Sequence, residues 1–182
     1  MPSTIAAIPD ALLAAKPDNR AGKYLTFFIG KQEFGVGVMK VREIMGMQDI
    51  TAVPGTRAYL KGVMNLRGKI IPVIDLRLKF GLPAAAYTTR TCIIVVQVDG
   101  AVIPLSMGII VDEVSEVLIL TPADIEDTPD FGSGAATTYI LGMAKIKGSV
   151  KILLDIGAAL ATQEIGGLET GLQAGPSEWG VK

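Results

Sequence analysis

Gly62-Val63-Met64-Asn65-Leu66-Arg67-Gly68-Lys69-Ile70-Ile71-Pro72-Val73-Ile74-Asp75-Leu76 returns without a gap as Gly142-Met143-Ala144-Lys145-Ile146-Lys147-Gly148-Ser149-Val150-Lys151-Ile152-Leu153-Leu154-Asp155-Ile156. The offset, 142 less 62, is 80 throughout, both glycines and the aspartate are identical, and a basic residue precedes the second glycine in each copy. Working outward, Tyr59 has its counterpart in Tyr139 at the same offset. Further upstream, Gly35 and Val41-Arg42-Glu43-Ile44 fall on Gly108 and Val114-Ser115-Glu116-Val117 at an offset of 73, so an insertion separates the two blocks. The chain reads as two copies of one small module, and such internal similarity sets the architecture before any local pattern does.

Each copy carries strand and turn signals. Tyr24 to Ile29 alternates and is rich in aromatic and branched residues, Gly30-Lys31-Gln32-Glu33 supplies a turn, and Phe34 to Val38 reads as a second strand. Val41, Ile44 and Met45 stand at i, i+3 and i+4, which predicts one helical turn before a strand through roughly Gln48 to Val53. Gly62 to Leu66 and Ile70 to Leu76 form a hairpin turning at Arg67-Gly68, and Pro72 predicts an edge position or a bulge. The pattern restarts at Cys92 to Val98 and continues through Val102 to Val111, Val117 to Leu120, Leu141 to Ile146 and Val150 to Leu154. About five short strands per copy favour two small all-β barrels, each sheet closing on itself to remove its edges. The expected organisation is a segment over 1–22, two interlocking subdomains over about 23–85 and 86–161, and a glycine-rich tail over 162–182. Trp179 in that tail reads either as an anchor for a partner groove or as a side chain folded back on its own domain.

Composition narrows the chemistry. With 182 residues, 49% hydrophobic and 19% charged, the chain can bury substantial cores. A net charge of −1 and only 5% aromatic residues give neither the basic footprint nor the stacking inventory of a nucleic-acid binder. There is no histidine, which removes histidine-based triads, histidine metal sites and a phospho-accepting histidine. Cys92 sits in an apolar run that reads as a buried strand, not in the electropositive setting of a nucleophile. Asp124-Ile125-Glu126-Asp127-Thr128-Pro129-Asp130 lacks the glycine and ligand spacing of a calcium loop, and no glycine-rich loop precedes a lysine and a helix. Asp75 and Asp155 hold the same place in each copy, so a structural role at a strand end explains both. The expectation is a protein without catalytic residues, metal or cofactor. No apolar run reaches the length of a membrane span, Met1 to Arg20 lacks the basic start of a signal peptide, and a lone cysteine suits a reducing compartment; together these predict a cytoplasmic protein.

The run from Gly62 to Arg77, preceded by Val41-Arg42-Glu43-Ile44 and followed by Gly108-Ile109-Ile110-Val111-Asp112-Glu113-Val114, closely resembles the chemotaxis coupling family CheW, with the likeness extending from about Tyr24 to Leu160. The resemblance implies a pair of five-stranded SH3-like barrels with short helical turns. It also implies a non-catalytic adaptor joining the cytoplasmic tips of transmembrane chemoreceptors to the regulatory domain of the histidine kinase CheA in membrane-associated arrays. By position it assigns Val41, Glu43, Arg67, Gly108 and Val114 to receptor binding, and Val38 and Phe131 to kinase contact or to rings that include further copies of the adaptor. Valines would supply contact area, Gly108 close backbone approach, and Arg67 a planar fork that either pairs with Glu43 or reaches a partner carboxylate directly. One departure from the family pattern is Glu126, which stands where a basic residue is expected. A coupler of another chemosensory-like pathway, or a two-barrel ligand-binding module, are the other readings.

Overall fold

Two hairpins change places between the two halves of the chain. The computed structural model describes residues 20–99, 103–129 and 139–160. Its strands are β1 (Gly22–Ile29), β2 (Gln32–Gly37), β3 (Val41–Gly46), β4 (Leu60–Leu66), β5 (Lys69–Asp75), β6 (Cys92–Val98), β7 (Leu105–Val111), β8 (Glu113–Leu120), β9 (Ile125–Glu126), β10 (Ile140–Ile146) and β11 (Ser149–Leu154). Short helices α1 (Leu76–Lys79) and α2 (Ile156–Leu160) follow β5 and β11, and 3-10 turns occupy Val38–Lys40 and Pro122–Asp124. One sheet has the order β8-β1-β2-β11-β10-β9 and the other β3-β6-β7-β5-β4. The fold is all-β in two sheets, as the strand patterns imply.

The sheets do not divide the chain near residue 85. The hairpin β1–β2 of the first copy lies between β8 and β11 of the second, while β6–β7 of the second lies between β3 and β5 of the first. The two exchanged junctions are parallel and follow one register: Leu153 pairs with Gly35, and Val73 with Gly108, positions related by the offsets of the repeat. The subdomains are thus built by reciprocal exchange, each drawing strands from both copies, in place of contiguous halves.

Each sheet must curl. β8 ends at Leu120 and β9 begins at Ile125, yet they occupy opposite edges of one sheet. Five Cα steps reach at most ~18 Å, whereas six flat strands would separate their outer members by about 24 Å. In the other sheet the same device leads from Gly46 in β3 to Thr51, which bridges Val63 on the far side of β4. This bridge is the counterpart of β9, which pairs Met143 with Glu126. So each barrel has five full strands and a minimal sixth, and the strand expected over Gln48 to Val53 reduces to the one bridge at Thr51. The strand begins earlier, at Val41, because pairing with β6 wins over the helical spacing: from Glu43 to Gly46 half-buried and exposed residues alternate, and a bulge between Val41 and Glu43 turns Val41 toward the intersheet core.

Close crossing of this sixth element explains a pair of glycines. A Cβ on Gly62 would lie 2.0 Å from the Thr51 carbonyl oxygen, and one on Gly142 2.8 Å from that of Glu126. Pro72 is tolerated because pairing of β5 with β7 starts only at Val73, leaving the proline on a locally free edge.

The described residues form three buried apolar clusters. Met64, Ile71, Val73, Ile93, Val95 and Ile110 fill one barrel, and Tyr24, Leu120, Ile125, Ala144 and Leu153 the other. The largest cluster lies between the sheets, joining Phe27, Phe34 and Leu154 on one side to Ile74, Ile94, Val96 and Ile109 on the other. Alternate residues of β6 thus face different cores, which is why that strand is apolar almost throughout. Cys92 opens β6 half-buried, short of the full burial its neighbours imply, with its thiol donating to the Arg90 carbonyl at 3.2 Å. Arg77 pairs with Asp112, whose Oδ2 also accepts from the Gly30 amide at 2.7 Å, tying α1 of one sheet to the β1–β2 turn of the other.

Candidate binding surface

Residues 66 to 69 form the tip that organises this surface. Arg67 has φ +51° and Gly68 φ +85°, the two left-handed positions of a tight hairpin whose twist matches its strands. The Asn65 side-chain oxygen accepts from the Gly68 amide at 2.8 Å and holds the turn. An arginine in a left-handed conformation is uncommon, and here it projects the guanidinium to the edge strand β3. Its Nη1 and Nη2 donate to Oε1 and Oε2 of Glu43 at 2.5 and 3.1 Å, a bidentate fork. The Arg67 side chain is 74% exposed and that of Glu43 27%. The hydrogen bonds and then the charge of Glu43 raise the Arg67 pKa, so the guanidinium is charged at every physiological pH.

The pair therefore presents a fixed cation on the outside of the barrel. Two exposed apolar residues lie near it along the chain: Ile70, on the same hairpin, is 72% exposed, and Ile44, next to Glu43 but on the opposite face of β3, is 44% exposed. Neither was singled out from sequence as part of a surface. The helical spacing of Val41, Ile44 and Met45 hides Ile44 in the sequence, and the alternation of β3 from Glu43 onward exposes it.

The other residues assigned by resemblance are distributed as follows. Val41 and Val114 are half-buried, occupy equivalent places in β3 and β8, and both pack against the intersheet core. Gly108 is buried in β7, where an added Cβ would lie 3.0 Å from Ile93 Cγ2 and 3.5 Å from Val73 Cγ2. The close approach it permits is therefore internal, between neighbouring side chains, and not toward a partner backbone. The structure thus joins Glu43 and Arg67 at one edge of one barrel, turns Val41 of the same strand toward the intersheet core, puts Gly108 in line with Glu43 across β6 in the same sheet, and places Val114 on the other sheet. Val38 begins the 3-10 turn half-buried against the intersheet core, beside Met39, which is 87% exposed. Phe131 and Trp179 lie outside the described residues.

Residues weighed for catalysis or metal binding have other partners. Asp75 Oδ1 accepts from the Arg77 and Leu78 amides, and Asp155 Oδ1 from Ala158, so both aspartates cap the helices after β5 and β11. In the acidic loop, Asp124 caps its own 3-10 turn through Thr121, Glu126 pairs with Lys145 at 3.0 Å, and Asp127 with Arg20 at 2.9 Å. Among the described residues no group of three or more potential metal ligands comes together. An apolar groove of about 200 Å³ runs between the sheets, lined by Phe34, Phe80, Tyr139, Leu82, Ile152 and Gln32. Phe80 stacks on Tyr139 at 5.5 Å, and burial raises the Tyr139 pKa. No described helix is long and apolar enough to cross a membrane.

Two curled sheets joined by exchanged hairpins define a duplicated double-barrel protein, with the Arg67–Glu43 pair exposed on one barrel. Residues 23–164 match the CheW-like domain, and the chain belongs to that family. It is 38% identical to the chemotaxis protein CheW of Klebsiella aerogenes over 79% of this chain and 84% of that one. It is also 38% identical to the CheW of Rhizobium meliloti, over 83% and 96% respectively. A more distant relative is protein FrzA of Myxococcus xanthus, 29% identical over 85% of this chain and 94% of that one. The crystal structure of the scaffolding protein CheW from Thermoanaerobacter tengcongensis superposes with a TM-score of 0.70, at 30% identity, covering 79% of this chain and 95% of that one.

Proposed function

We propose that this chain is a non-catalytic adaptor that couples the cytoplasmic tips of chemoreceptors to a CheA-type histidine kinase, working in the cytoplasm at membrane-associated arrays. The observation that carries the reading is the Arg67–Glu43 fork on a tight hairpin tip, with exposed Ile70 on the same hairpin. A receptor tip is a helical hairpin with amphipathic stripes, and such a stripe needs apolar contact beside a fixed charge. Val41 anchors β3 to the intersheet core, and Gly108, in register with Glu43 through Val95, lets β6 and β5 pack closely on β7. Val114 contributes through the symmetry-related edge strand.

Kinase contact uses other faces. Assembly into rings requires two dissimilar patches, because a single self-complementary patch closes into a pair. Val38 with its exposed neighbour Met39, and Phe131, are assigned to those patches. Simultaneous engagement then transmits receptor state by geometry, with no bond made or broken in this chain, and multivalency holds the array even where each contact is weak. The similarity to FrzA favours a second reading, in which the same coupling serves a chemosensory-like pathway other than swimming chemotaxis.

Co-sedimentation with clustered receptor cytoplasmic fragments and CheA tests the proposal. The wild-type chain is expected to join the complex and raise kinase activity. Arg67→Glu places like charges against Glu43 and is expected to weaken receptor association at least about ten-fold while leaving CheA binding and the melting transition in place. A wild-type chain that neither joins the complex nor changes activity with a cognate set overturns the coupling role. An Arg67→Glu chain that melts far below wild type assigns Arg67 a structural role instead.

A further inference from the structure

We infer that the buried Lys151–Glu33 ion pair distinguishes the two copies of the repeat during folding, directing the hairpin β1–β2 to β11 and away from β5. The strands on which the two exchanged hairpins dock, β5 and β11, are near copies, and each receives its parallel neighbour in the same register, Val73 on Gly108 and Leu153 on Gly35. Backbone pairing alone therefore allows two arrangements: the observed exchange, or each hairpin docking on the strand of its own copy.

Side chains at the edge of these junctions differ. Lys151 pairs with Glu33 across β11 and β2, its Nζ 2.5 Å from Oε1, with side chains only 7% and 12% exposed. By the offsets of the repeat, the equivalent positions in the other sheet hold Ile71, 3% exposed within its barrel core, and Ser106. Docking in the unexchanged arrangement would set Glu33 beside Ile71 and Ser106 beside Lys151. Both charges would then be buried without a counter-ion, a costly state. In the observed arrangement each meets its opposite.

Stability alone is a poor account of the pair. Among the described residues Glu33 Oε2 is buried with no hydrogen-bond partner, so the carboxylate is incompletely satisfied there. Well-packed neutral residues commonly replace such a pair with no loss of stability, and the other junction shows that serine with isoleucine fits this framework. A buried pair that adds little stability but carries a heavy penalty in the wrong arrangement acts on specificity.

The test is refolding of the full chain from guanidinium under reducing conditions, scored as the fraction recovering the wild-type amide NMR spectrum. The variant carrying both Glu33→Ser and Lys151→Ile copies the first junction onto the second. It is expected to have a native state that unfolds at close to the wild-type rate. Its native yield should nonetheless fall at least about two-fold, toward an even partition between two pairings. The inverted variant carrying both Glu33→Lys and Lys151→Glu keeps the discrimination and should refold with wild-type yield. Full wild-type yield from the neutral variant overturns the inference, as does an inverted variant that refolds no better than the neutral one. Should the neutral variant fold nowhere, the inverted variant decides alone.

Discussion

The hairpin tips Arg67-Gly68 and Lys147-Gly148 have nearly the same backbone, with φ of +51° and +85° in one and +51° and +83° in the other, but different surroundings. Arg67 is locked to Glu43, whereas Lys147 makes no ion pair among the described residues, although Glu116 stands where Glu43 does in the repeat. A reverse contrast holds inside the barrels, where the second sheet buries Lys151 with Glu33 and the first has Ile71. Duplication preserved what the backbone requires, namely the turns, the caps and the glycines under the crossing strand. Divergence placed one ion pair on the outside, where a partner can meet it, and one on the inside, where it acts on the fold.

Equivalent substitutions in the two copies test that contrast, beginning with the largest effect. Gly62→Ala drives a Cβ to 2.0 Å from a backbone oxygen at φ +141°, so neither strand can yield without breaking the Thr51 bridge. A loss of about 4 kcal/mol is expected in denaturant unfolding, enough to leave little native protein. Gly142→Ala meets the Glu126 oxygen at 2.8 Å, with Arg20 and Ile125 at 3.0 Å, and the side-chain neighbours can shift. It should cost about 2 kcal/mol. Equal losses would show that the two crossings are equally rigid.

Next come the ion pairs. Lys151→Ala strands a buried carboxylate and should destabilise by about 3 kcal/mol. Arg67→Ala removes a solvent-exposed partner and should change stability by less than about 1 kcal/mol while impairing receptor association. If chemical denaturation ranks them the other way, the assignment of one pair to folding and the other to binding fails. The caps give a smaller difference. Asp75 is buried, receives the Arg77 and Leu78 amides and lies 3.4 Å from the Tyr87 hydroxyl, so Asp75→Ala should cost about 2 kcal/mol. Asp155 is half-buried, and Asp155→Ala should cost about 1 kcal/mol in the same unfolding measurement.

What could be read from sequence follows the same division. The repeat announced itself because turns and close crossings need particular residues: Gly68 and Gly148 for left-handed backbone, Gly62 and Gly142 for lack of space, Asp75 and Asp155 for caps. The exchange of hairpins was not legible, because a parallel junction between strands far apart in the chain leaves no local pattern. At the β2–β11 junction the polar pair Glu33 and Lys151, 118 residues apart, marks it. In the edge strand β3, Val41, Ile44 and Met45 match a helical period as well as a strand, and tertiary pairing with β6 decides between them. At the surface, Arg67 and Glu43 were legible as candidates. Gly108 was legible as a glycine that needs its lack of a side chain, but sequence could not say that the crowding comes from Ile93 and Val73 inside the barrel.

The smallest expected effect concerns two tyrosines on the intersheet face and its linker. Burial raises the Tyr139 pKa, and burial followed by the charge and hydrogen bond of Asp75 raises that of Tyr87. In the unfolded chain both phenols would ionise near their ordinary value of about 10. A folded pKa above that value means the native state holds its protons more tightly than the unfolded state does. The associated stability is therefore fully present below about pH 10 and is lost as pH rises through the higher folded pKa. Tyr139→Phe and Tyr87→Phe each remove one such group, so the decline in melting temperature from pH 9 to 11 should become shallower by a small, measurable amount. Tyr87→Phe should act more strongly, because it also relieves the repulsion between a phenolate and Asp75, a carboxylate fixed in place by its capping bonds. A Tyr87→Phe chain with the same alkaline profile as wild type would mean that the Asp75 carboxylate does not act on Tyr87, leaving the cap at the end of β5 as the single role of that aspartate.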